Sequence, residues 1–220
     1  MSDDVKDTRT YRSKVRQEQA RRTRQVILDS ARRLFAERGY AATTIAAIAA
    51  DAEVAQDTVY AAAGRKPEIF RLLLETAISG TDEAVPAEER DYVRRVRAAA
   101  RAREKIEIYT AAVREIGERM APLHRMLREA AGQSPDLAAI RDAIAQRRAA
   151  NMRLFAQDLA ATGDVRDGLD VDQIADVVWS TSSAEFYGLL VLERGWTPDA
   201  FQQWLADTWC RLFLVPESGM

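Results

Sequence analysis

The run AAIAADAEVAQDTVY, residues 46–60, constrains the fold more than any other stretch of the chain. Ile45, Ile48 and Ala49 share one face of a short helix, which Thr43 or Thr44 can cap. Residues 52–55 read as a turn, and residues 56–63 as a second short helix with Val54 and Val59 on its buried side. Gly64 ends that helix. Upstream, Ile27, Ala31, Leu34 and Phe35 lie on one face of a longer helix that stops at Gly39. Downstream, Pro67 suits the first turn of a helix carrying Ile69, Phe70, Leu72 and Leu73 to about Ser79. Two short helices across a tight turn, flanked by longer ones, form the layout of a helix-turn-helix.

The rest of the chain also reads as helix, with no β-branched alternation. Residues 80–90 form a connector, and residues 91–100 a short basic helix. Ile106, Tyr109, Val113 and Ile116 mark one helix face, and Pro122 opens a further helix with Leu123, Met126 and Leu127. Ser134 and Pro135 cap and start a long helix to about Ala161. The last two helices, over 170–194 and 198–214, are apolar on more than one face. Such helices call for cover beyond their own domain, and a two-helix dimer interface of Val178, Phe186, Leu189, Phe201, Trp204, Leu205 and Trp209 is expected. The architecture expected is all-α with about nine helices. A flexible basic arm over 1–17 precedes a helix-turn-helix head over 18–79 and a helical body over 80–220.

With 220 residues, 47% hydrophobic and 30% charged, the chain has the composition of a folded globular protein. No stretch approaches roughly 18 uninterrupted apolar residues, so no membrane span is expected. MSDDVKDTRTYRSK lacks the apolar core of a signal peptide, and Cys210 has no second cysteine to pair with. A cytoplasmic location is the simplest reading. The net charge of −2 hides an asymmetry. Arg9, Arg12, Lys14, Arg16, Arg21, Arg22 and Arg24 are opposed in that run only by Glu18, a patch suited to phosphates.

Catalytic and metal chemistry is thinly represented. His124 is the one histidine, beside Met120, Leu123 and Met126, and reads as a packed or pocket-lining residue. No cysteine–histidine cluster fits zinc, and no metal or cofactor is expected. The acidic loop GDVRDGLDVDQ lacks the calcium-loop spacing and its distal glutamate, and reads as a capped loop before a helix.

VILDSARRLFAERGY, then ATTIAAIA, then VA-x-x-TVY, then G-x-K-x-x-IF together resemble the DNA-binding head of TetR-type transcriptional regulators across residues 26–75. The resemblance implies a homodimeric, ligand-responsive, non-enzymatic regulator. Such proteins are most often repressors released from a palindromic operator by a small molecule. It implies phosphate contacts at Thr43 or Thr44, backbone contacts at Tyr40 and Tyr60, and a phosphate-facing Lys66. It places Gln56, Asp57 and Thr58 against base edges. Effector-pocket candidates are Tyr109, Val113, Met120, His124, Met152, Phe155, Trp179 and Phe186, aromatic or flexible residues on inward faces. The chain departs from the family where Ala55 replaces a frequent serine cap, and where Ala62 and Ala63 replace a frequent histidine and phenylalanine. Those alanines support an alternative: a dimeric ligand-binding protein whose head no longer reads DNA.

Overall fold

The computed structural model describes residues 4–216, with side chains over residues 15–216. The chain divides into two compact units, with the division inside the fourth helix, after Leu74. That point lies short of the 79/80 boundary expected from the loop composition.

The first unit holds α1 (Asp4–Ala42), α2 (Ile45–Asp51), α3 (Gln56–Ala63) and the start of α4 (Lys66–Ser79). Helical backbone extends back to Asp4, through most of the stretch expected as an irregular arm. The side chains of Arg9, Arg12 and Lys14 lie outside the described residues. Gly39 takes a left-handed φ of 79°, which breaks the helical path of α1 where the sequence places its end. Ile27, Leu34, Phe35, Ile48, Val59 and Phe70 are buried together as the core of this unit. Tyr40 closes it, its ring centroid 5.4 Å from that of Phe35 and 5.5 Å from that of Phe70.

The second unit continues from the end of α4 through a 3-10 turn (Ala87–Glu89), α5 (Asp91–Ala98), α6 (Ala102–Ala131) and α7 (Pro135–Ala160). It ends with α8 (Val171–Thr181), α9 (Ala184–Tyr187), a π-helical segment (Gly188–Glu193) and α10 (Pro198–Phe213). Helix α6 is the axis of this unit, packed by α5, α7, α9 and α10. Pro122 does not open a new helix: it sits inside α6, on the exposed side, where solvent can serve the carbonyl that has lost its donor. The helix expected over 170–194 is interrupted. Ser183 caps α9 by accepting from the Phe186 amide, and the wider π turns follow.

The expected dimer residues divide between interior and surface. Val178, Phe201, Leu205 and Trp209 are fully enclosed within one protomer, so they are core rather than partner contacts. The apolar breadth of α8 and α10 reflects their central place in this core. Tyr187 anchors α9 by lying on Gly117, where a Cβ would meet its ring at 2.4 Å. Asp164, in the acidic loop, accepts from Arg101 and from the Ala102 amide, each at 2.9 Å, and Asp170 forms a capping box with Gln173. Asp164 and Asp170 are thus employed in holding helix ends.

Candidate nucleic-acid interface and body cavities

Helices α2 and α3 meet through residues 52–55, as their spacing predicts. Glu53 has a left-handed φ of 54°, a conformation most side chains avoid. Val59 and Ala63 face inward, while Gln56, Asp57 and Tyr60 are exposed and Thr58 is half-buried. One side of α3 is therefore bound to the core and the other presents an amide, a carboxylate and a phenol to solvent. Ala55 supplies no side-chain cap, so only Asp57 in the first turn complements the helix dipole. The last turn is held instead by Arg24 of α1, whose Nε donates to the Ala62 carbonyl at 2.8 Å. Arg33 pairs with Asp51 at the end of α2, and the Ser30 hydroxyl followed by Arg33 holds that carboxyl below its ordinary range.

The two threonines part company. Thr44 is exposed and caps α2, its hydroxyl accepting from the Ala47 amide at 3.1 Å. Thr43 is buried, and its hydroxyl donates to Gly39 at 2.9 Å and Leu34 at 3.2 Å. Enclosure removes Thr43 from the phosphate contacts expected of it. Lys66 is half-buried and has contacts within the unit that the sequence does not reveal. Its ammonium donates to the carbonyls of Tyr40 at 2.9 Å and Thr43 at 3.0 Å, and sits 4.3 Å from the Tyr40 ring centroid. Burial draws its pKa below the ordinary lysine range. Lys66 thereby fastens the corner between α1 and α2. Arg24 and this role of Lys66 were missed from sequence, because both are side chain to backbone contacts between distant positions.

The expected pocket residues fall into two cavities of the second unit. One, of about 470 Å³, lies among the 3-10 turn, α5, α6 and α7, and brings together Tyr109, Met152 and Phe155 with Tyr92. The Tyr109 hydroxyl meets the Met152 sulfur at 3.1 Å, and burial raises its pKa. The other, of about 520 Å³, lies among α6, α7 and α8–α9, and brings together Met120, His124, Trp179 and Phe186. Burial lowers the His124 pKa, with Glu185 opposing the shift, so the imidazole stays neutral. Val113 is in the core and lines neither. Among the described residues no group of side chains could hold a metal ion, and no helix is long and apolar enough to cross a membrane.

The first unit has the helix-turn-helix arrangement, and a larger all-helical unit follows it. Residues 27–73 match the family model of bacterial regulatory proteins, tetR family, so the chain carries a TetR-type head. Several solved structures share the fold. NalD, the secondary repressor of the MexAB-OprM multidrug efflux pump in Pseudomonas aeruginosa, is 19% identical with a TM-score of 0.69 over 91% of this chain and 100% of its own. A protein of Saccharomonospora viridis described as a transcriptional regulator, in complex with choline, is 20% identical with a TM-score of 0.64 over 87% of this chain and 97% of its own. The fatty acid degradation regulator FadR of Bacillus halodurans is 16% identical with a TM-score of 0.61 over 84% of this chain and 93% of its own. No curated protein matches the sequence.

Proposed function

We propose that this protein is a homodimeric transcriptional repressor that binds a palindromic operator through α3 and leaves it when a small molecule occupies the second unit. The observation carrying this reading is the two-sided character of α3: Val59 and Ala63 anchored in the core, Gln56, Asp57 and Tyr60 exposed around them. Gln56 suits adenine, Asp57 suits cytosine, and Tyr60 and Thr44 suit the phosphate backbone. The alanines at 62 and 63 do not leave α3 detached, since Ala63 is enclosed and Arg24 holds the carbonyl of Ala62. That integrity favours a DNA-reading head over a degenerate one.

For the dimer, the exposed apolar residues Trp179, Leu189, Leu192 and Leu212 join the half-buried Phe186 and Trp204 as interface candidates. The effector reading draws on the two cavities and on the choline complex of one structural neighbour. Selection from a random DNA pool tests the whole. The full chain should enrich a two-fold symmetric sequence, and Gln56→Ala with Tyr60→Ala should abolish enrichment while the helical circular dichroism signal persists. Enrichment of nothing, with a folded dimer at low salt, would refute DNA reading.

A further inference from the structure

Among the described residues, one basic group lining the cavity among α6, α7 and α8–α9 has no carboxylate paired with it. Arg128 lines this cavity and pairs with Glu185, which lines it too. Arg141 also lines it and pairs with its neighbour Asp142 at 2.8 Å. Arg148 is different. One guanidinium nitrogen donates to the Trp179 carbonyl at 2.6 Å and to the Ser182 hydroxyl at 3.3 Å. The guanidinium carbon lies 5.4 Å from the Trp179 ring centroid. Among the described residues no carboxylate forms an ion pair with Arg148. A guanidinium has five donors in a planar fork, and Arg148 lines the cavity with two acceptors among the described residues. Burial lowers the Arg148 pKa, yet a guanidinium remains a cation at neutral pH.

The rest of the wall is apolar or neutral. Met120, Leu127, Ile144 and Phe186 line it, with His124 held neutral by burial. Three guanidiniums face one carboxylate in the lining, so a cationic ligand meets repulsion. A neutral one leaves the half-buried guanidinium without a counter-charge. A carboxylate can take two parallel hydrogen bonds from the fork while its apolar body covers the hydrocarbon wall. The second cavity gives no such sign, because its lining holds Glu88 and Asp158 with Arg97, and Asp158 is already paired with the buried Lys105 at 3.0 Å.

We infer that the cavity among α6, α7 and α8–α9 binds an amphipathic organic carboxylate, with the carboxylate on Arg148 and the apolar portion against Met120, Leu127 and Ile144. This inference names the ligand class of the effector site and rests on the reading that the second unit takes a small molecule. Its test is calorimetric titration of the purified full chain, without DNA, with decanoate, 1-decanol and decyltrimethylammonium. Decanoate should bind at least about tenfold tighter than either ten-carbon counterpart, and Arg148→Met should remove that advantage while leaving decanol within about twofold. Equal or tighter binding of the alcohol or the ammonium, or no decanoate binding, overturns the inference with no variant needed. So does undiminished decanoate binding by a folded Arg148→Met chain. Decanoate binding in a chain that selects no operator would retain this inference and remove the regulator reading; an operator-selecting chain indifferent to decanoate would do the reverse.

Discussion

Lys66 in the first unit and Arg148 in the second are both cations drawn off the surface, each beside an aromatic ring and each donating to backbone carbonyls. Their surroundings differ in one respect. The ammonium of Lys66 is enclosed by Tyr40 and Thr43, whose carbonyls lie at 2.9 and 3.0 Å, so the protein itself answers the charge. Arg148 has one carbonyl and one hydroxyl, and then a cavity. The first arrangement is structural and complete. The second leaves guanidinium donors beside the cavity, as the proposed carboxylate site requires.

The most damaging way to break this contrast is to disturb the wall that keeps the cavity open. Helix α9 supplies Ala184, Glu185 and Phe186 to that wall and is seated by Tyr187 on Gly117. Gly117→Val should cost about 3 kcal/mol, because the ring has to be displaced from a packed interior. A urea melt should show the loss, and decanoate binding should fall with it. An unchanged melt would mean that α9 is not held from beneath.

A smaller change tests the contrast itself. Lys66→Met should lower stability by about 1–3 kcal/mol, since it strips a charged donor from carbonyls at the end of α1. Arg148→Met should alter stability by less than about 1 kcal/mol, because an apolar residue there removes an uncompensated charge along with its two hydrogen bonds. Equal losses in the two melts would erase the distinction between a closed and an open cation.

The smallest effect concerns the first turn of α3. Ala55→Ser should add about 0.5–1 kcal/mol by providing the missing cap. Amide exchange at Gln56 and Asp57 should slow in step, and no slowing would show that the turn already has a partner.

Much of the first unit was legible because its signals are local. Gly39, Thr44, Gly64 and Pro67 each mark an end or a start through the chemistry of one or two residues. The choice between Thr43 and Thr44 was not local: the path after Gly39 decides which hydroxyl turns inward. The carbonyl contacts of Lys66 were not legible, since its acceptors lie on the far side of the unit's sequence. In the second unit, apolar breadth on α8 and α10 points to a dimer interface, although the same pattern also suits a core. Val178, Phe201, Leu205 and Trp209 are core because α7 packs against α8 and α6 runs beside α10. The eight pocket candidates were chosen for side-chain type, which cannot divide them between two cavities. Arg148, absent from that choice, is distinguished only by what it lacks nearby.

The basic run in α1 also has a consequence for how strongly ionic strength will act. Arg24 is committed to the Ala62 carbonyl, and Arg21 and Arg22 share Glu18 at 3.2 and 3.1 Å. Each cation so engaged displaces one fewer condensed ion from a duplex. The logarithm of affinity falls by about 0.9 per neutralised phosphate for each tenfold rise in salt. A titration against potassium chloride would therefore register a shallower slope than the seven cations between Arg9 and Arg24 would suggest when counted from the sequence.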